Sequence, residues 1–115
     1  MEYLVELKNV SHSFDVMLYR DISFGLKPMH SMAILGASGS GKSTILNHLS
    51  TLLPPQEGQI NIANFHNVYD LDENKLLYLR QKIMGVIFQA HYLFRGFNVM
   101  QNIRIAELIA QTKMD

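Results

Sequence analysis

The sequence predicts an α/β fold in which an antiparallel β portion precedes strand–helix units. Two observations lead to this prediction. Apolar and polar residues alternate near the amino terminus, as in strands with one buried face. Further along, two short apolar runs are each followed by a pattern of helical spacing, which is typical of strands covered on both faces.

The first two strands are predicted from this alternation. In "YLVELKNVSHSF", the side chains of Tyr3, Val5 and Leu7 should share one face of the strand. The segment "LYRDISFGLK" is predicted to form the second strand. A turn at Asp15 would pair the two strands.

The next segment is predicted to contain a strand, a loop and a helix. The strand is "SMAIL", residues 31–35, which is short and apolar after Ser31. After a glycine-rich loop, apolar residues recur at helical spacing: Ile45, Leu46, Leu49, Leu52 and Leu53. The segment "PPQEG", Pro54 to Gly58, should end this helix because proline cannot continue it.

The remaining residues predict two further strands and two further helices. "QINIANF" alternates and indicates a strand, while "DENKLLYLRQK" indicates a helix with Asp72 as its N-cap. "MGVIFQ" is the second strand of the buried type. "NVMQNIRIAELIAQ" has the pattern of a longer helix.

The composition excludes several classes of function. The formal net charge is +0, so no nucleic-acid partner is expected. There is no cysteine, which excludes disulfides, zinc–thiolate sites and thiol catalysis. No apolar run approaches the roughly 18 residues of a membrane span, and the amino terminus lacks the pattern of a signal peptide. The five histidines show no metal-ligand spacing and are predicted to be surface or satisfied polar groups.

The loop after "SMAIL" matches the phosphate-binding motif G-x-x-x-x-G-K-[ST] at Gly36, Gly41, Lys42 and Ser43. Glycines let backbone N–H groups approach an anion closely, and the loop leads into a helix whose N-terminal end favours phosphate. Lys42 would reach the terminal phosphates, and the Ser43 hydroxyl would ligate the Mg²⁺ of the nucleotide. The motif therefore predicts ATP or GTP binding; the alternative is a glycine-rich turn with an exposed lysine.

Three stretches resemble the ATP-binding subunits of ABC transporters. "GASGSGKSTILNHLSTLLPPQEGQINI" is similar to the Walker A region of that family, and "MGVIFQAHYLFRGFNVMQNI" to its Q-loop. The aromatic residue of "LKNVSHSF" stands where the family has one that stacks on adenine. The stretch that leads into the Q-loop, "LLYLRQKIMGVIFQ", is most similar to the lipoprotein-release, macrolide-export and cell-division subfamily.

The resemblance implies a P-loop NTPase fold of the ABC ATPase type, here an antiparallel β portion plus part of the RecA-like core over residues 1–115. It implies that ATP and Mg²⁺ are bound by the loop Gly36, Ala37, Ser38, Gly39, Ser40, Gly41, Lys42, Ser43 and Thr44. Phe14 would stack on the adenine, with a core phenylalanine as the alternative. Gln89 would meet the Mg²⁺ and the attacking water, with a polar strand end as the alternative.

The resemblance also implies partners and a location. Residues 91–100 would face a transmembrane transporter subunit, with an ordinary surface loop as the alternative, and a second ATPase domain would complete a dimer. The protein is expected to be cytoplasmic and peripheral to the inner membrane through its membrane partner. The transported substrate and the direction of transport are not encoded in these residues.

The sequence departs from the family in three respects. Met29-His30 stand where Gly-Glu is usual, and Gln101 stands where Glu is usual. The L-S-G-G-Q signature, the Walker B strand with its catalytic glutamate, and the switch histidine are absent from the 115 residues. The expectation is a partial domain that binds ATP but hydrolyses it poorly, in which the strands "SMAIL" and "GVIF" keep unpaired edges and uncovered apolar faces.

Three other interpretations remain open. Thr112, Lys113 and Asp115 match the guanine motif [NT]-K-x-D of GTPases, although no D-x-x-G stands between the two motifs. A small-molecule kinase is disfavoured by the alternating strands that precede the loop. A non-catalytic nucleotide-binding remnant would retain ATP binding without turnover.

Overall fold

The alternating segments form the three-stranded antiparallel sheet around which the amino-terminal part of the molecule is built. Strand β1 is Val5–Ser13, β2 is Met17–Leu26 and β3 is Glu57–Ile62, in the order β2-β1-β3. The computed structural model describes residues 2–37, 39–87 and 93–111. These fall into two units, Met1–Leu71 and Asp72–Asp115. The predicted pairing of the first two strands about Asp15 is confirmed.

The register of the sheet follows the apolar side chains. Leu7 on the central strand lies opposite Phe24 on one side and Ile60 on the other. Leu7 and Ile60 are completely buried, so the apolar positions of the alternation form the core as predicted. The ladder is irregular between Lys8 and Ser11, where Gly58 has φ +90 and a Cβ at that position would lie 2.4 Å from the carbonyl oxygen of Asn9. Only glycine permits this close approach.

The helix after the glycine-rich loop, α1, spans Lys42–Leu49. It ends earlier than the apolar pattern predicts, because Thr51 adopts a left-handed conformation with φ 65. The amide of Leu52 donates to the carbonyl of Asn47 at 3.0 Å, and the amide of Thr51 donates to the carbonyl of His48 at 3.3 Å. These two bonds form a Schellman motif, which ends the helix before the prolines are reached.

The second unit is helical. Helix α2 spans Glu73–Tyr78, and the Asp72 side chain accepts a hydrogen bond from the Lys75 amide at 2.8 Å, which confirms the predicted N-cap. A π-helical turn over Leu79–Ile83 follows, with the Met84 amide donating to the Leu79 carbonyl at 3.1 Å. Helix α3, Val99–Gln111, agrees with the last predicted helix.

The two predicted buried strands are not strands in the structure. Residues 31–35, and residues 84–87 of the second run, belong to no strand among the described residues. The Leu35 side chain is 89% exposed and that of Ile87 is 100% exposed. An apolar strand is stable only with neighbours that satisfy its backbone and cover its faces, and the described residues provide no such neighbour. The uncovered apolar side chains agree with the expectation, whereas the expected strands are not formed among the described residues.

Within the described residues, no helix is both long enough and apolar enough to cross a bilayer.

Candidate functional site

The phosphate-binding motif forms a loop that leads directly into α1. Gly39 has φ 80 and Gly41 has φ 97, and both values lie in the left-handed region that glycine adopts without steric cost. Gly41 is the residue immediately before the helix. At Gly36 a Cβ would lie 2.7 Å from the Ser40 hydroxyl oxygen, so a side chain there would require the Ser40 hydroxyl to move. Ser38 lies outside the described residues.

The side chain of Lys42 folds back over the loop that precedes it. Its ammonium group donates hydrogen bonds to the carbonyl oxygens of Gly36 and Ala37, the latter at 3.2 Å. The amide of Ser40 donates to the same Ala37 carbonyl at 3.2 Å and closes a turn. The loop therefore holds its cation beside the backbone of residues 36 and 37.

The start of α1 supplies hydrogen-bond donors without competing acceptors. The first bond of the helix runs from the Ile45 amide to the Gly41 carbonyl at 3.0 Å, so the amides of Lys42, Ser43 and Thr44 have no acceptor within the helix. No side chain caps this end, and its first turn contains no acidic residue. The positive end of the helix dipole and the Lys42 ammonium thus lie together at one exposed edge.

These residues fit a nucleotide phosphate with its Mg²⁺. The donors are backbone amides and one cation, the combination that phosphate oxygens accept. Ser43 is exposed and offers a hydroxyl oxygen to a hard cation. No group of three or more histidine or acidic side chains that could hold a metal is found among the described residues. Ser43 is the described side chain predicted to hold the ion, together with the nucleotide's own oxygens, while the predicted contribution of Gln89 lies outside the described residues.

Phe14 lies in the turn between β1 and β2, and its side chain is 63% exposed. The alternative of a core phenylalanine is therefore wrong. Its ring meets that of His12 edge to face, with centroids 4.9 Å apart. The exposed Phe14 ring is accessible to a ligand, as the predicted stacking on adenine requires, and that role remains a prediction.

A buried cluster of two histidines and a tyrosine was not anticipated from the sequence. His12 of β1, Tyr19 of β2 and His48 of α1 are all buried. His48 is satisfied, as predicted for the histidines, but His12 is not, because its Nδ1 is buried without a hydrogen-bond partner. The three positions are distant in the sequence and share no motif, so no sequence signal connects them.

Burial changes the acid–base properties of this cluster. It raises the pKa of Tyr19 to about 12. It lowers the pKa of His48 from its usual value, an effect that the hydrogen bond to the Leu53 carbonyl opposes and the charge of His12 reinforces. Both side chains are therefore neutral at pH 7.

Gln89 lies outside the described residues, as do His91 and Tyr92, so the predicted Mg²⁺ contact of Gln89 remains a prediction. Thr112, Lys113 and Asp115 of the alternative guanine motif also lie outside them. The described part of the predicted partner loop exposes several large apolar side chains: Leu93, Phe94, Phe97, Val99 and Met100.

The departure at Gln101 preserves the local structure. The Gln101 amide donates to Asn98 Oδ1 at 2.8 Å, and the Asn98 amide donates to Gln101 Oε1 at 2.9 Å. This reciprocal pair is a capping box, in which glutamine and glutamate are equivalent acceptors. The Asn102 side chain also accepts from the Phe94 amide at 2.9 Å, which ties the preceding loop to α3.

The sequence profile described as "ABC transporter" matches residues 19–115. The lipoprotein-releasing system ATP-binding protein LolD of Treponema denticola is 37% identical over 100 residues, covering 87% of this chain and 44% of that protein. The macrolide export ATP-binding/permease protein MacB of Photorhabdus laumondii is 34% identical over 115 residues, covering 96% of this chain and 18% of that protein.

Solved structures show the same fold. The dimeric structure of the ATP-binding cassette MJ0796, in a post-hydrolysis state bound to ADP and Pi, matches with a TM-score of 0.81 at 29% identity. The match covers 96% of this chain and 50% of that one. The chain thus spans half or less of the length of these relatives.

Proposed function

This chain belongs to the ABC transporter family, and from that premise we propose that it binds ATP with Mg²⁺ as part of the ATP-binding domain of a transporter of the lipoprotein-release and macrolide-export type. The observation that carries the proposal is the loop from Gly36 to Thr44. It places the Lys42 ammonium and the free amides of α1 at one exposed edge.

Each part of the loop has a separate task. The amides of Lys42, Ser43 and Thr44 bind phosphate oxygens at the positive end of α1. Lys42 exchanges its carbonyl partners for the terminal phosphates, where a charge-assisted hydrogen bond is stronger than one to a neutral carbonyl. Mg²⁺ neutralises phosphate charge when bound, and Ser43 and Gln89 are the side chains proposed to hold it. Phe14 is proposed to stack on the adenine.

We propose that this chain by itself turns ATP over inefficiently. Attack on the γ-phosphate needs a positioned water and stabilisation of the developing charge. The family's catalytic glutamate follows a Walker B strand, and the 115 residues contain no such sequence. Binding is thus the activity proposed for these residues, and hydrolysis is proposed to need groups beyond them.

The proposed partners are a transmembrane transporter subunit and a second ATPase domain. The exposed apolar side chains of Phe94, Phe97 and Met100 support the first proposal, because exposed apolar groups of this size are suited to an interface. The dimeric state of the MJ0796 cassette supports the second. A location peripheral to the inner membrane follows from the first partner.

The test is calorimetric titration of the 115-residue chain with MgATP, compared with Lys42→Ala and with Lys27→Ala as a matched control at an exposed lysine. We expect Lys42→Ala to weaken binding by at least about tenfold, the value of one charge-assisted hydrogen bond, and Lys27→Ala to leave it unchanged. Equal affinities for all three chains would overturn the proposal.

Two further measurements, of phosphate release and of GTP binding, use the same samples. Phosphate release from MgATP should stay at the background rate. If the unaltered chain released phosphate faster and Lys42→Ala abolished this release, the proposal of binding without efficient hydrolysis would be contradicted. Titration with MgGTP should give weaker binding than MgATP. A preference for GTP would favour the guanine motif at Thr112, Lys113 and Asp115.

A further inference from the structure

The cluster of His12, Tyr19 and His48, here called the His–Tyr cluster, lies beside the phosphate loop. Its members come from β1, β2 and α1. The ring centroids of His12 and His48 are 5.0 Å apart, and those of Tyr19 and His48 are 5.9 Å apart, both edge to face. His48 is 0% exposed, so no bulk water reaches its ring.

The hydrogen bonds of His48 define its protonation state. Its Nδ1 lies 2.7 Å from the carbonyl oxygen of Leu53, which only accepts, so Nδ1 must carry a hydrogen. In the neutral ring, Nε2 is then an acceptor, and the Tyr19 hydroxyl donates to it. The hydroxyl of Tyr69 contacts the Leu53 carbonyl at 2.7 Å and the backbone carbonyl of His48 at 2.6 Å, which holds this end of α1 in place.

The Tyr19 ring supports the turn at Gly41. A Cβ built on Gly41 would lie 3.1 Å from Cδ1 and 3.2 Å from Cε1 of Tyr19, so the ring packs directly against this glycine. Gly41 is the residue at which the loop becomes helix α1, while His48 is near the other end of the same helix. Tyr19 thus contacts the loop with its ring and is oriented by its hydroxyl bond to His48.

We propose that Tyr19 and His48 are positioning residues that hold the Gly41 turn in the geometry needed for nucleotide phosphates, and that they do so only while His48 is neutral. This inference rests on the proposed function, since it concerns the same loop. The inference adds that side chains outside the phosphate-binding motif support the loop, and that this support depends on pH.

Protonation of His48 would weaken this support for three reasons. The Nε2 atom would become a donor, so the Tyr19 hydroxyl could no longer donate to it, and the bond could re-form only with the Tyr19 oxygen reoriented as the acceptor. The charge would be placed where water cannot solvate it. Among the described residues, the titratable groups that face His48 are His12 from β1, Tyr19 from β2 and, at its backbone carbonyl, Tyr69. None of these three is a carboxylate that would neutralise the charge, and His12 would repel it. Nucleotide affinity should therefore fall as the pH is lowered through the pKa of His48.

The first experiment measures MgATP affinity from pH 8 to pH 5 for the unaltered chain and three variants. His48→Gln keeps an amide oxygen near the position of Nε2 and does not titrate. Tyr19→Phe keeps the ring and removes the hydroxyl. His66→Gln is the matched control at an exposed histidine. The protonation of ATP itself affects all four chains equally and cancels in the comparison.

We expect the affinity of the unaltered chain to fall about three- to tenfold more than that of His48→Gln across this range, as for the loss of one hydrogen bond. Tyr19→Phe should show the weaker affinity already at pH 8 and a flatter profile, and His66→Gln should behave as the unaltered chain. Superimposable profiles for the unaltered chain and His48→Gln would overturn the inference while leaving the proposed function intact.

A second measurement does not depend on nucleotide binding. In NMR spectra of the nucleotide-free chain, the amide shifts of Gly41 and Lys42 should change with the same midpoint as the His48 ring, and this change should vanish in His48→Gln. Amide shifts that are insensitive to the His48 titration would overturn the inference even if MgATP binds. Absence of MgATP binding together with coupled shifts would instead overturn the proposed function alone.

Discussion

The antiparallel sheet and the two apolar runs at residues 31–35 and 84–87 were all predicted to form strands, but only the strands of the sheet are paired in the described part of the structure. Leu7 of the sheet is 1% exposed, whereas Leu35 is 89% exposed. The sheet strands alternate, so one face is satisfied by core contacts and the other by water. The apolar runs have no polar face, so they are stable strands only when neighbours cover both sides.

This difference shows that a strand with alternating polar and apolar residues and a fully apolar strand need different neighbours. A hairpin such as β1–β2 finds its partner a few residues away across a short turn. A fully apolar strand depends on partners that are remote in the sequence, and the residues that the structure describes do not supply them.

The largest expected effect compares the same substitution in the two regions. Leu7→Ala should lower the free energy of unfolding by about 2–5 kcal/mol, because it leaves a cavity in the core of the sheet. Leu35→Ala should change it by less than about 0.5 kcal/mol, because the side chain already meets solvent. Thermal denaturation followed by circular dichroism gives both values. Similar losses for both variants would mean that residues 31–35 are packed in solution, and the comparison would fail.

A smaller effect is expected at the turn that separates β2 from the first apolar run. The amide of His30 donates to the Lys27 carbonyl at 3.3 Å, with Pro28 second in the turn and Met29 third at φ 66. This third position favours glycine, the residue usual in the family. Met29→Gly should therefore stabilise the chain by up to about 1 kcal/mol. This net value is the backbone strain that glycine relieves, reduced by the greater conformational entropy that glycine loses on folding.

The control for this variant is Met32→Gly, at a position without a positive φ. The same denaturation measurement should show no gain for it. Equal stabilisation by both glycines would indicate that the loss of an exposed methionine, rather than the turn geometry, is responsible.

The smallest expected effect concerns the start of α3, where structure is determined locally. Gln101→Glu keeps the acceptor of the capping box and adds a negative charge at the positive end of the helix. It should stabilise the helix by about 0.3–1 kcal/mol at low salt. Asn98→Ala removes the cap and should cost about 1 kcal/mol. Urea denaturation at low and high salt checks both; a gain for Gln101→Glu that persists at high salt would contradict the electrostatic explanation.

The sequence was sufficient wherever the deciding interaction is local. The Asp72 cap, the β1–β2 turn and the phosphate loop were predicted from residues within a few positions of one another, and each rests on backbone geometry that such residues determine. The end of α1 was misjudged because Thr51, a residue that seldom adopts a left-handed conformation, forms the Schellman motif there. The sequence left open whether Phe14 is exposed or buried, because the pattern of residues around a turn does not show whether an aromatic side chain packs in the core or faces solvent.

The sequence by itself therefore determined the periodicity of the sheet, the position of the phosphate loop and the helix caps, since these depend on side-chain spacing and local hydrogen bonding. Only the tertiary structure decided that Tyr19 and His48, 29 positions apart, share a hydrogen bond beside Gly41, and that the apolar runs form no strands among the described residues. The physical reason is that burial and pairing depend on which distant segments the chain brings together, and a linear pattern of residues does not specify that.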